Sequence, residues 1–175
     1  MNIFHVSDCP YTAAEMLCDK HVGKMLMEAV QMLCTAHHTH GSWNDSLMQP
    51  AYIHHPMTKW VGLTKGNYLW TLEHAFGLRN EWRYRYRTSH AAGERLWLLP
   101  RWHNIPCGTM TPPEQCMPTQ YKDVDHVLAY RNYYIGEKAR FAKWEKGREM
   151  PEWYAVGIKL NAESHSGTRP IGADQ

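Results

Sequence analysis

The chain has 175 residues, 43% of them apolar and 21% charged, a balance that fits one globular domain and leaves enough apolar surface for a core without staples. Formal net charge is +2 beside 12 histidines, too mild by itself to name a polyanionic partner. No apolar run approaches a membrane span, no basic-then-apolar leader opens the chain, and the cysteines (Cys9, Cys18, Cys34, Cys107, Cys116) are odd in number without a CxxC pair. These features point to reduced thiols, a cytoplasmic setting and no membrane partner.

Residues 2–6 (NIFHV) read as a short strand or a buried extended lead-in. Ser7 and Asp8 before Pro10 mark a helix start, giving a first helix from Pro10 to about Cys18. Asp19 to His38 carries the clearest period. At 100° per residue Cys18, Val22, Met25, Leu26, Ala29, Leu33 and Ala36 share one face, and His21, Lys24, Glu28, Gln31, Thr35 and His38 share another. Gly41 ends it, and 42–56 is a loop closing on His54, His55 and Pro56. Pro56 opens a short helix carrying Trp60, a longer helix spans Lys65 to about Arg87, and another runs from Ser89 to Leu98. Five prolines make 99–122 a long irregular connection, a kind of segment often functional. Asp123 caps a helix to about Lys146, and the residues after Trp153 turn polar. The expected fold is mainly α: a single-domain compact helical bundle over 1–154 with a long proline-rich loop, followed by a flexible tail over 155–175.

Three constellations carry chemistry. His21, Lys24 and Glu28 lie three and seven residues apart on one stripe, so they are expected to line one solvent-reached pocket in which a carboxylate and an imidazole share a substrate. The bland alternative is a solvated face with a Lys24–Glu28 pair. His55 and Trp60 flank a proline-opened helix start that can present amides to an anion; the alternative is a loop histidine packed on Trp60. The third is an interleaving of cations and rings, RNEWRYRYR over 79–87 and YRNYYIGEKARFAKWEK over 130–146. There Arg83, Arg85, Arg131 and Lys138 suit phosphates, and Tyr130 and Tyr134 suit bases, while Glu137 stands among the rings of its helix. Its alternative is an aromatic core face backed by solvated cations. A metal site is not expected, since His37, His38 and His40 fan apart on a helix and His21 and Glu28 are two turns apart; no cofactor motif occurs either.

The stretch CDKHVGKMLMEAVQ resembles the catalytic helix of the pyrimidine-dimer DNA glycosylase (endonuclease V-like) family of bacteriophages. Asp19, His21 and Glu28 match that family's Asp-x-His and later Glu. Bacterial members are similar at Asp19, Gly23, Lys24, Glu28 and Gln31, and at His55, Pro56 and Trp60. The chain also resembles phage proteins of unassigned function that begin MNIF and carry CDKHV. The likeness is best over 1–87 and only compositional beyond. It implies an α-helical DNA glycosylase, with AP-lyase nicking, in a host-cell cytoplasm and with DNA as partner. An N-terminal amine, of Met1 or Asn2, would attack C1′ of a damaged nucleotide; Glu28 would stabilise the cationic sugar; His21 and Lys24 would grip flanking phosphates. The family exposes a small residue by loss of Met, whereas Asn2 is bulky, and His21 lies further along the chain than its counterpart. Two other classes remain open: a base- or nucleotide-modifying enzyme without imine chemistry, and a non-catalytic nucleic-acid or host-protein binding module.

Overall fold

In a computed structural model that describes residues 1–101 and 104–166, side chains through 163, the protein is an all-helical bundle. Its helices are α1 (Pro10–Met16), α2 (Asp19–Thr39), α3 (Pro56–Leu63), α4 (Lys65–Tyr86), α5 (Ala91–Glu94), α6 (His126–Lys138) and α7 (Glu152–Ser166). Single turns of 3₁₀ helix follow α5 and interrupt the proline-rich loop at Thr119–Tyr121. Among the described residues there is no strand, and no helix is long and apolar enough to cross a membrane.

Local chemistry sets the helix starts. His55 accepts from the Met57 amide with Pro56 next to it, Thr64 accepts from the Asn67 amide, and the Asp125 carboxylate accepts from the amides of Val127 and Leu128. The sequence reading placed two of these starts too early. His90, not Ser89, caps α5, and Asp125, not Asp123, caps α6. The stop of α4 is an αL residue, Arg87, at φ 55°.

The apolar stripe read on α2 is the centre of the core. Val22, Leu26, Val30 and Leu33 are fully buried, and α2 packs on α4 and α3. Gly23 permits the closest approach to α4: a Cβ there would sit 2.4 Å from the Trp82 ring. Residues 3–6 are the extended lead-in, not a strand, and all four are buried. His5 lies among rings, 3.9 Å from Trp70 in a stack and 5.2 Å from Trp60 edge-on, with neither ring nitrogen hydrogen-bonded.

Two sequence expectations about the C-terminal third are corrected. The helix expected to reach Lys146 ends at Lys138, and 139–151 is an irregular strap held to the bundle by side chains: the Asp19 carboxylate accepts from the Glu145 amide at 2.7 Å, and Arg148 reaches Glu81 at 2.6 Å. The tail expected from 155 is instead the body of α7 as far as Ser166. Tyr154 is 2% exposed, and Gly157 lets α7 lie against Ile135 of α6, so burial holds this weakly patterned segment in helix. Residues 167–175 of that expected tail lie outside the described residues.

Candidate active site

The polar stripe of α2 is only partly open to solvent, because the lead-in runs along it: His21 is buried and Glu28 half-buried, while Lys24 stays exposed. Asn2 sits over Glu28, and Phe4 stacks on His21 with centroids 4.8 Å apart. One stripe thus becomes two environments, and the expected common pocket of His21, Lys24 and Glu28 is corrected accordingly.

At the Glu28 end, the Asn2 amide donates to Glu28 Oε2 at 2.8 Å. The Asn2 side chain is also engaged: Nδ2 donates to the Cys116 carbonyl at 3.1 Å, and Oδ1 accepts from the Ile3 amide at 2.9 Å. The Tyr130 hydroxyl lies 2.6 Å from the Glu114 carbonyl and 3.1 Å from Asn2 Oδ1, so its single proton bridges the proline-rich loop to the chain start. Glu28 keeps 12% of its side chain exposed, and Lys24 Nζ stands 3.9 Å from Oε1 with its own side chain 59% exposed, a loose pair.

The α-amine is part of this cluster. Burial lowers the His55 pKa first; the positive amine pushes it further down, and Glu28 opposes both. The same amine acts on the Cys116 thiol, whose pKa is nonetheless raised because burial dominates. Because His55 Nδ1 accepts from the Met57 amide at 3.2 Å, the neutral ring carries its proton on Nε2. Glu28 and the neutral His55 ring therefore lie within electrostatic reach of the first residue, where the lead-in crosses α2 and the start of α3. Such a set offers a carboxylate to a positive charge and an N–H hydrogen-bond donor beside the start of the chain.

At the His21 end the chemistry is structural. His21 is 4% exposed, edge-on to Phe141 and 2.9 Å from the Tyr134 hydroxyl through Nδ1. That hydroxyl also accepts from the Cys18 amide at 3.0 Å, which ties the ring to the start of α2. Burial, then Lys138, Lys24 and Lys20, push the His21 pKa down to about 3, so the ring is neutral and is not a phosphate grip.

Several other expected substrate contacts are corrected by burial. Trp60 is 2% exposed and donates to the Thr111 carbonyl at 3.3 Å. Tyr130 and Tyr134 are fully buried, and burial raises both phenol pKa values well above 10, keeping the hydroxyls protonated. Arg85 has no exposed side chain. It binds Glu81 and Asp19, each at 3.0 Å, and the carbonyls of Leu17 and Glu15, each at 2.8 Å. Arg131 is tied to the Val6 carbonyl at 2.9 Å, Lys138 lies over the Tyr133 ring, and the Gln31 amide donates to the Gln49 carbonyl. Glu137 is exposed and accepts from Tyr121 at 3.1 Å, so no lone carboxylate is trapped among rings. Arg83 remains exposed.

Cys116 and Glu114 join the site without having been singled out. The only sequence signal for them was the length and proline content of their loop. Among the described residues no group of three or more His, Cys, Asp or Glu is placed to hold a metal ion. No family model, curated protein or solved structure matches the chain.

Proposed function

We propose that the protein is a DNA glycosylase-like enzyme whose nucleophile is the N-terminal amine, with Glu28 as the group that steadies the cationic sugar. The observation that carries this reading is the 2.8 Å bond from the Asn2 backbone amide to Glu28, which sets the carboxylate against the nitrogen next along from the first residue. The neutral amine would attack C1′ and break its bond to the base, and the proton that the amine sheds leaves with the base, relayed through water. Opening of the sugar ring then gives a positively charged imine, and the Glu28 carboxylate favours that charge. His55, neutral with its proton on Nε2, can orient a substrate oxygen by donating a hydrogen bond. Loss of Met1 would put the new amine on the nitrogen that now bonds Glu28; retention leaves the amine one residue further out.

The rival reading is that Glu28 only anchors the lead-in, in a nucleic-acid binding module without turnover. The engaged Asn2 side chain favours that role as an anchor. One substitution separates them. On DNA carrying abasic or pyrimidine-dimer lesions, borohydride should trap a covalent adduct on the N-terminal peptide. Glu28→Gln should cut nicking by ~10²–10³ while DNA affinity stays within a few-fold. An anchoring role predicts no adduct from the parent protein, and a lower melting temperature alone for the variant.

A further inference from the structure

We infer that the groove between α2 and α4 binds an unpaired nucleotide strand, seating a base against Trp82 and Tyr86 and its phosphates on Lys20 and Lys24; this extends the nucleic-acid part of the reading above. The groove has a volume of about 370 Å³, room for one nucleotide at a time, and its walls differ in chemistry. One wall is aromatic. Trp82 and Tyr86 stack with centroids 4.2 Å apart, and His90 stands edge-on to Trp82 at 4.7 Å. The Tyr86 hydroxyl donates to the Asp19 carbonyl at 3.1 Å and Gly23 receives Trp82 closely, so the rings are fixed before any ligand arrives.

The other wall is α2. Lys20 and Lys24 lie four residues apart, one turn, on the same exposed side. The acidic residue lining the groove is Asp19, and its charge is already committed: Oδ1 to Arg85 at 3.0 Å and Oδ2 to the Glu145 amide at 2.7 Å. Lys20 makes a cation–π contact with Phe141 at 4.9 Å, and Lys24 makes a loose contact with Glu28. The groove therefore presents net positive charge beside flat rings, the pairing that suits a phosphate and a base. Between them Met27, 47% exposed, offers a flexible apolar surface next to Glu28. Lys24 lines the groove and also stands 3.9 Å from Glu28, so the groove and the Glu28 carboxylate share one side chain.

The test uses an undamaged oligothymidylate of roughly ten nucleotides, so that imine chemistry plays no part. Binding is followed by anisotropy over a range of salt, and a bromodeoxyuridine version is photocrosslinked and mapped by mass spectrometry. Crosslinks should fall on the peptides containing Trp82, Tyr86 or Met27. The double variant Lys20→Gln with Lys24→Gln changes exposed residues and should fold normally. It should bind about tenfold more weakly, with a salt slope shallower by ~1.4, two contacts' worth for a single strand. Crosslinks confined to α6, or an unchanged slope in the double variant, would overturn the inference, as would a parent protein that does not bind the strand. Failure of borohydride trapping with these results intact would count against the glycosylase chemistry alone.

Discussion

Arg83 and Arg85 stand two residues apart in the same basic and aromatic run, yet the structure gives them opposite fates, and alanine at each should separate stability from binding. Arg85 joins Glu81, Asp19 and the carbonyls of Glu15 and Leu17 at the end of α1, at 2.8 to 3.0 Å. Removing one partner of a buried ion pair typically costs about 3–5 kcal/mol. Here Glu81 keeps Arg148 and Asp19 keeps the Glu145 amide, which places the loss near the lower end, about 3 kcal/mol. For a chain of this size that is a melting temperature lower by roughly 6–12 °C. Arg83 is exposed and makes no ion pair within 4.0 Å among the described residues, so Arg83→Ala should change stability by no more than ~0.5 kcal/mol. If Arg83 touches a phosphate, its loss should lower the salt slope of DNA binding by about one. Thermal melting and salt-dependent anisotropy on both variants decide the matter. An Arg85→Ala protein that melts with the parent but binds DNA more weakly would refute the structural role given to the buried network.

Acid should destabilise the fold well before its carboxylates are protonated. Burial holds His74 down to about 4, His21 to about 3, and His5 well below its usual value, so all three are neutral in the folded chain, whereas the unfolded chain takes up their protons near pH 6.5. Their contribution is therefore complete above about pH 6.5 and is lost as pH falls below it, at up to about 1.4 kcal/mol per pH unit for each ring. Denaturant melts should show this fall, His5→Phe should flatten it while keeping the stack on Trp70, and a stability unchanged down to about pH 4.5 would contradict it. Gly23→Ala should lower stability despite a helix-propensity gain of up to about 1 kcal/mol, because the new methyl meets Trp82. In a Trp82→Ala background the same change should become neutral or stabilising, and purely additive effects in that cycle would argue against the contact.

Periodicity exposed the helical architecture and the apolar face of α2, because a face that must be buried leaves a 3.6-residue signature. It could not say what covers the opposite face. A polar stripe is equally suited to water and to an extended segment whose amides need acceptors, and here Asn2 supplies such an amide to Glu28. The split between Arg83 and Arg85 was within reach of the same rule, since two residues apart on a helix point about 200° apart. Tyr130 and Tyr134 followed their stripe into the core, where their hydroxyls tie distant segments together. Cys116 and Glu114 were beyond local reading, because only the folded chain brings residue 116 back to residue 2. The weak pattern of α7 hid a helix that packing maintains.

The lead-in that roofs α2 also has a consequence for synthesis. Residues 2–6 precede by more than a hundred positions two of the groups that hold them: Tyr130 for Asn2, and Arg131 for the Val6 carbonyl, 125 residues later. Helices α1 to α5 can begin to gather while the chain is still growing, yet their centre stays open on one side until α6 emerges. During that interval His5, Phe4 and the Glu28 carboxylate are wetted, and the nascent chain carries an exposed apolar seam that only its own distal third can close. Folding to the competent form is thus tied to completion of the message through at least α6. A product truncated before α6 would be left with that seam exposed, which makes it a natural substrate for chaperones and proteases.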